Sequence, residues 1–271
     1  MKEQSPQERV KNFDEVALGL SEEEAVVEAK RCLQCKKAAC IGGCPVGIDI
    51  PAFVKYIAEK EFNKAIEKVR EKNSLPAVCG RVCPQEDQCE KVCVLAKKNN
   101  TIGIGDLERF AADWKIKNRP KTVDRRPKIV KSAVHKIAVI GSGPAGLTCA
   151  GELAKLGYYV TVFESLHKPG GVLTYGIPEF RLPKSIVDID VEYVKSLGVE
   201  INVNFLAGRT KTMEGLKNDG YKAFFIGIGA GLPYFLGVEG ENLNGIYSAN
   251  EFLTRTNLMK AYLFPEYDPP I

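Results

Sequence analysis

Two batches of closely spaced cysteines constrain this chain more than any other feature. The first reads Cys32-x2-Cys35-x4-Cys40-x3-Cys44-Pro45, the second Cys79-x3-Cys83-Pro84-x4-Cys89-x3-Cys93. Eight of the nine cysteines of the 271-residue chain therefore fall between residues 32 and 93. Thiolates at such short spacings are how a chain encloses iron–sulfur clusters, in which each iron keeps one protein ligand. A Cys-Pro that closes a batch often serves a second cube. On that pattern Cys32, Cys35 and Cys40 hold one cube, Cys44 reaches toward another, and Cys83 and Cys89 complete part of the second. Zinc sites generally present two Cys-x2-Cys or Cys/His pairs. The second batch has no Cys-x2-Cys, and the two histidines, His135 and His167, stand far off in the sequence. Iron–sulfur is favoured over zinc and over free structural thiols.

Composition narrows the setting. Hydrophobic residues make up 45% and charged residues 27%, with a net charge of +4 and both signs interspersed. Those values are ordinary for a soluble globular protein and give no electrostatic case for nucleic acid or an anionic membrane. Met1 to Val10 is polar, without the apolar core of a signal peptide, and no apolar run approaches a membrane span. A cytoplasmic setting is expected, and there dense cysteines serve metal rather than disulfides.

The chain divides by pattern at about residue 130. Ser21 to Glu24 opens a helix with a capping box, and Ala25, Val26, Ala29 and Leu33 carry it toward the first cysteines. Helices are predicted over Pro51–Lys60, with Phe53, Val54, Ile57 and Ala58 on one face, and over Phe62–Lys72, with Ala65, Ile66 and Val69. No strand-like alternation precedes residue 130, so residues 1–130 are expected to form a helical iron–sulfur domain. They end in a Lys-, Arg- and Pro-rich linker at 118–132. From residue 131 to 271 strands and helices alternate. Lys136–Ile140 and Tyr159–Phe163 are strands flanking a helix over Leu147–Leu156. A helix is expected over 184–197, a strand over 199–204, and a buried strand over Ala223–Ile228. That order implies a parallel α/β sheet of Rossmann type.

Gly141-Ser142-Gly143-Pro144-Ala145-Gly146 sits between the first strand and its helix, as a dinucleotide fingerprint requires. The helix N-terminus offers unpaired N–H groups to phosphate. Glu164 ends the second strand, where an acidic side chain can accept from ribose hydroxyls. Gly170 and Gly171 follow and allow a second close backbone approach, which favours FAD over NAD. Cys149, inside the helix, reads as a small packing residue.

Several segments together resemble the glutamate synthase small-subunit family. They are Phe13-Asp-Glu-Val16, Glu28-Ala-Lys-Arg-Cys-Leu-Gln-Cys35, Cys44-Pro-Val46, Asn73-Ser-Leu-Pro-Ala-Val-Cys-Gly-Arg-Val-Cys-Pro84 and Ile102-Gly-Ile-Gly-Asp-Leu-Glu-Arg-Phe110. The family includes the N-terminal part of dihydropyrimidine dehydrogenase and the large subunit of NADH-dependent ferredoxin:NADP oxidoreductase. The resemblance covers essentially the whole chain. It implies two [4Fe–4S] clusters, one on Cys32, Cys35, Cys40 and Cys93, the other on Cys44, Cys83, Cys89 and a side-chain oxygen that matches Glu108. It also implies that Cys79, which spacing alone makes a candidate, is not a ligand. Gly171 to Pro183 resembles the family's flavin-side loop, and Phe225 to Ala230 a Gly turn that passes near FAD. By this resemblance the FAD contacts are Gly141 to Ala145, Glu164, Gly171, Val172, Arg181 and, more remotely, Ala207.

No second dinucleotide fingerprint follows, and the family's C-terminal return to the FAD domain is not among these residues. The FAD-binding domain is therefore expected to be incomplete, with NAD(P)H bound outside this chain. The reading is of an electron-transfer iron–sulfur flavoprotein subunit of an NAD(P)H-linked oxidoreductase. Partner subunits would carry the NAD(P) domain or the electron-accepting site, and no catalytic acid or base is assigned. The alternative is a non-catalytic iron–sulfur adaptor with a docking Rossmann half-domain.

Overall fold

A computed structural model describes residues 2–98, 100–118 and 135–267. The linker expected at 118–132 lies, from residue 119 on, outside the described residues, as do residues 268–271. The chain forms two compact units, the first up to Arg125 and the second from Arg126.

The first unit is helical: α1 (Pro6–Arg9), α2 (Glu22–Lys30), α3 (Ala39–Gly43), α4 (Ile50–Ala58), α5 (Phe62–Arg70), α6 (Pro76–Val82) and α7 (Ile104–Lys117). Local chemistry starts these helices. Ser21 Oγ accepts from the Glu24 amide at 3.2 Å while the Glu24 carboxylate accepts from the Ser21 amide at 2.9 Å, the expected capping box. Asp49 caps α4, and Pro51 and Pro76 sit in first turns where their missing N–H costs nothing. Periodicity then sets the buried faces. Ala25, Phe53, Val54, Ile57, Ala65, Ile66, Val69, Leu107 and Ala111 are fully buried, and Phe62 meets Phe110 edge-on at 5.1 Å.

Two expectations for this unit need correction. Helix α2 stops at Lys30, so Leu33 is not on its apolar face but exposed. A small antiparallel pair, β1 (Lys2–Glu3) and β2 (Ala17–Gly19), also precedes residue 130. These strands are too short for alternation to show. What fixes β2 is a distant contact, the Arg109 guanidinium donating to the Ala17 carbonyl at 2.8 Å.

That arginine belongs to a buried ion network. Arg81 Nε lies 2.7 Å and Arg109 Nη2 3.0 Å from Glu15 Oε1, and both guanidiniums also reach Asp113. Beneath it α6 and α7 touch backbone to backbone: a Cβ on Gly80 would stand 2.6 Å from the Arg109 amide nitrogen and Cα.

The second unit is a four-stranded parallel sheet in the order β5-β4-β3-β6, made of β3 (Lys136–Ile140), β4 (Tyr159–Phe163), β5 (Glu200–Asn202) and β6 (Tyr221–Ile226). Its helices are α8 (Pro144–Lys155), α9 (Val172–Tyr175), α10 (Lys184–Ser196), α11 (Met213–Asn218) and α12 (Ala249–Leu258). The central strands β3 and β4 are buried from their second residue on, as near-continuous apolar runs in parallel sheets are. The last strand does not match its expectation. It ends at Ile226, and Ile226 and Ile228 are 64% and 70% exposed rather than buried. Among the described residues β6 pairs only with β3, and the stretch after it exposes Leu232, Tyr234, Phe235 and Leu236. No helix of the described residues is long and apolar enough to cross a membrane.

Gly80→Ala is expected to push α6 off α7 and cost about 1–3 kcal/mol, the usual range for overpacking a tight contact. Gly42→Ala, whose added methyl meets nothing within 4 Å, should leave stability unchanged. Thermal unfolding of the two variants checks the pair.

Candidate functional site

The first group of donors draws on both cysteine batches. Cys32 follows the end of α2, and Gln34 then takes a left-handed conformation, φ 48°, that turns the chain toward Cys35. Cys40 lies in α3, and Cys93 just before a short 3-10 turn at Val94–Lys98. These four cysteines line one cleft enclosing about 440 Å³, part of it open solvent, with Ile50, Val54, Leu95 and Ile104 among its apolar walls.

Burial raises the Cys40 thiol to about 11, with Cys93 and Cys32 adding like charge. Burial also raises Cys32, assisted by Cys35 and Cys93. Thiols gathered this way resist ionising unless a cation compensates them, and ligation requires the thiolate. The donor set fits an iron–sulfur cluster, whose irons would supply that charge.

The second group is built on α6 and α7. Two carboxylates fasten the start of α7: Glu28 Oε1 accepts from the Gly103 amide at 2.8 Å and Glu90 Oε1 from the Gly105 amide at 3.0 Å. One turn on, Glu108 is 7% exposed. Burial pushes Cys89 up to about 12, and Glu90, Cys44 and Glu108 add their charges. The Cys79 thiol sits within hydrogen-bonding reach of Cys83, which it lowers to about 7 while being raised well above its own ordinary value. The fold thus gathers Cys44, Cys83, Cys89 and Glu108 in one neighbourhood and sets Cys79 beside them. Among the described residues no three His, Cys, Asp or Glu side chains close around a single metal ion. A four-iron cube takes one ligand per iron, so its donors stand further apart than those around one ion.

Asn73 was missed by sequence reasoning. It is 3% exposed, its Nδ2 donates to Glu108 Oε1 at 2.7 Å, and its Oδ1 accepts from the Leu75 amide at 2.8 Å. The Cys79 thiol also points at Oδ1, 3.7 Å away.

In the second unit the Gly-rich loop leaves β3 where the C-terminal ends of three strands meet. Gly141 has φ 99°, and a Cβ there would stand 2.4 Å from the Gly227 carbonyl oxygen beyond β6. A Cβ on Gly146 would lie 1.9 Å from the Gly141 carbonyl oxygen. Gly143 differs, because nothing lies within 4 Å of its Cβ position. That open face is where a pyrophosphate could approach the N-terminus of α8, which begins at Pro144, three residues before its expected start.

The segment at Gly170–Gly171 folds back on this loop. The Gly170 amide donates to the Ser142 carbonyl and hydroxyl, both at 3.1 Å, and a Gly171 Cβ would meet Gly143 Cα at 2.8 Å. Val172 follows as the exposed first residue of α9, and Arg181 is exposed in a turn. Ala207 packs against the cluster of Ala138, Ile140, Phe163 and Leu216 at the ends of β3 and β4.

Glu164 is 5% exposed and accepts from the Ser142 amide and hydroxyl, the Ser165 hydroxyl and the Leu166 amide. A carboxylate has about four acceptor positions. A ribose hydroxyl would therefore take the place of one of those two serine hydroxyls.

Lys184, which sequence reasoning placed only as a helix start, closes the 171–183 loop. Its ammonium donates to the carbonyls of Leu173 at 3.1 Å and Leu182 at 3.2 Å, and also to that of Ile177. Burial lowers it to about 8, opposed by Glu179.

Residues 9–120 match the family described as dihydropyrimidine dehydrogenase domain II, 4Fe-4S cluster, and residues 139–197 match an NAD(P)-binding Rossmann-like domain. The chain thus carries an iron–sulfur domain followed by a Rossmann-like domain, in the order in which the two donor groups and the glycine cradle occur. Over most of its length the chain is similar to glutamate synthase small chains and to subunits of dihydropyrimidine dehydrogenase. It is 37% identical to the Escherichia coli glutamate synthase [NADPH] small chain over 89% of this chain and 50% of that one. It is 38% identical to the PreT subunit of NAD-dependent dihydropyrimidine dehydrogenase of the same organism, over 82% of this chain and 54% of that one. For the Salmonella typhimurium PreT subunit the identity is 36% over 90% and 57%. The chain spans between 50% and 57% of the length of these relatives.

Replacing Lys184 with Met leaves three loop carbonyls without their donor, at an expected cost on the order of 2 kcal/mol. Lys195→Met, at an exposed ion pair with Glu192, should be near neutral. Thermal melts of the two variants, read against limited proteolysis at 171–183, separate them.

Proposed function

We propose that this chain is the electron-transfer portion of an NAD(P)H-linked oxidoreductase, holding two [4Fe–4S] clusters and FAD. The observation that carries the reading is the meeting of Cys32, Cys35, Cys40 and Cys93, drawn from both batches, on one apolar cleft. In the proposed assignment these four bind the first cluster, and Cys44, Cys83, Cys89 and Glu108 bind the second. FAD would supply the exchange between hydride and single-electron chemistry, and the clusters a path to a partner subunit.

The chain's own residues bind and orient. The Gly141–Gly146 loop presents the N-terminus of α8 to the pyrophosphate, Glu164 takes the ribose, and Gly170, Gly171, Val172 and Arg181 line the flavin side, with Ala207 nearby. The apolar walls around Cys32 and Cys40 would shield part of the first cluster from water, and an oxygen ligand at Glu108 would change the charge on the second. NAD(P)H is proposed to bind outside residues 1–271. The names of the relatives support partners of the glutamate synthase or dihydropyrimidine dehydrogenase type, and the dense free cysteines support a cytoplasmic setting.

Anaerobically purified chain should be brown, with about eight iron and eight sulfide per chain on a two-cube stoichiometry. Metal analysis with the visible spectrum checks this, and iron-free protein after reconstitution would sink it. Anaerobic NADPH titration of the chain with its co-purifying partner should bleach the flavin band. If no flavin is found but the clusters are intact, the reading reverts to an iron–sulfur adaptor.

A further inference from the structure

The second donor group holds more donors than a cube needs. Cys44, Cys83, Cys89, Glu108 and Cys79 share one neighbourhood, and a cube takes four ligands. Something must decide between the Glu108 carboxylate and the Cys79 thiol for the fourth place.

The geometry points to Asn73 as that positioning residue: its carboxamide holds Glu108 toward the second cluster and Cys79 away from it. This rests on Glu108 being the oxygen ligand in the proposed function. A carboxamide has a donating and an accepting end, and here each is fixed by its partner. A carboxylate can only accept, so Nδ2 faces Glu108 Oε1 at 2.7 Å; a backbone amide can only donate, so Oδ1 faces Leu75 N at 2.8 Å. The Cys79 thiol lies 3.7 Å from the same Oδ1, so the carboxamide stands between Glu108 at its donating end and Cys79 at its accepting end.

Asn73 is itself pinned. It is 3% exposed, Ser74 beside it is fully buried, and its amide bonds to Val69 O at the end of α5 at 2.9 Å. A side chain so held pre-organises the ligand it touches, in the way that outer partners orient metal ligands generally.

Asn73→Ser tests this on the full chain reconstituted anaerobically. A serine hydroxyl can still accept from the Leu75 amide but is too short to reach Glu108. The readouts are iron content, the EPR signals of the two reduced clusters and their midpoint potentials. In Asn73→Ser the second cluster's signal and potential should change while the first cluster's stay put, with about eight iron retained on the two-cube count. Adding Cys79→Ser in that background should halve the iron, because the thiol has taken the fourth place. Cys79→Ser alone should leave both clusters as they were.

A wild-type second signal in both Asn73→Ser and Asn73→Ala overturns the inference. So does full iron in the double variant, or loss of both clusters in both single variants, which would mark Asn73 as a folding residue. Glu108→Ala separates the two levels. If it leaves the second cluster unchanged, Glu108 is not a ligand and the underlying reading fails. If it alters the cluster while Asn73→Ser does not, only the role of Asn73 falls.

Discussion

The backbone contact of α6 on α7 at Gly80 is the constraint from which the iron–sulfur unit is built. Helix α6 contains Cys79 and leads directly to Cys83, while α7 contains Glu108. With no side chain at Gly80, the Arg109 backbone can sit where a Cβ would be, and the donors of the two helices come within reach of one another. The contact is reinforced by charge. Arg81 from α6 and Arg109 from α7, with side chains only 3% and 4% exposed, share Glu15 and Asp113. Removing one partner from a buried network of this kind costs about 3–5 kcal/mol, because the remaining charges are left uncompensated. The N-terminal segment is tied in by the same charges, through Glu15 and the Ala17 carbonyl.

The nucleotide-type unit depends on a comparable economy of backbone at the strand ends. Carbonyl oxygens of Gly141 and Gly227 occupy the places that side chains at 146 and 141 would fill, so the loop is packed on its inner side. Of the three fingerprint glycines, only Gly143 has open space at its Cβ position. Ser142 links the inner side to Glu164 and to Gly170. Three segments distant in sequence are thereby fixed around one small opening.

Much of this was legible from local pattern. The capping box at Ser21, the buried stripe of α5 and the central strands β3 and β4 each follow from spacing alone. So did the turn at Gly141, because a fingerprint needs only its neighbours to be recognised. What escaped was set by distant partners. Strand β2 exists because Arg109 reaches its backbone, 92 residues away. The exposure of β6 depends on which strands flank it, and an apolar run reads the same at a sheet's edge as at its centre. Asn73 and Lys184 carry no motif of their own, because their importance lies in which buried groups they satisfy. Cys79 shows the opposite difficulty: its spacing is that of a ligand, and nothing in the sequence pattern shows that it lies beside Asn73, Cys83 and Glu108.

The strand β6 has a consequence for handling the molecule. Among the described residues one of its edges is unpaired, and the exposed apolar residues from Leu232 to Leu236 follow close behind. A bare edge beside apolar surface is how sheets of separate molecules stack on one another. Concentrations suited to crystals or spectroscopy favour edge-to-edge association, and added lysine along β6 or near residues 232–236 works against it.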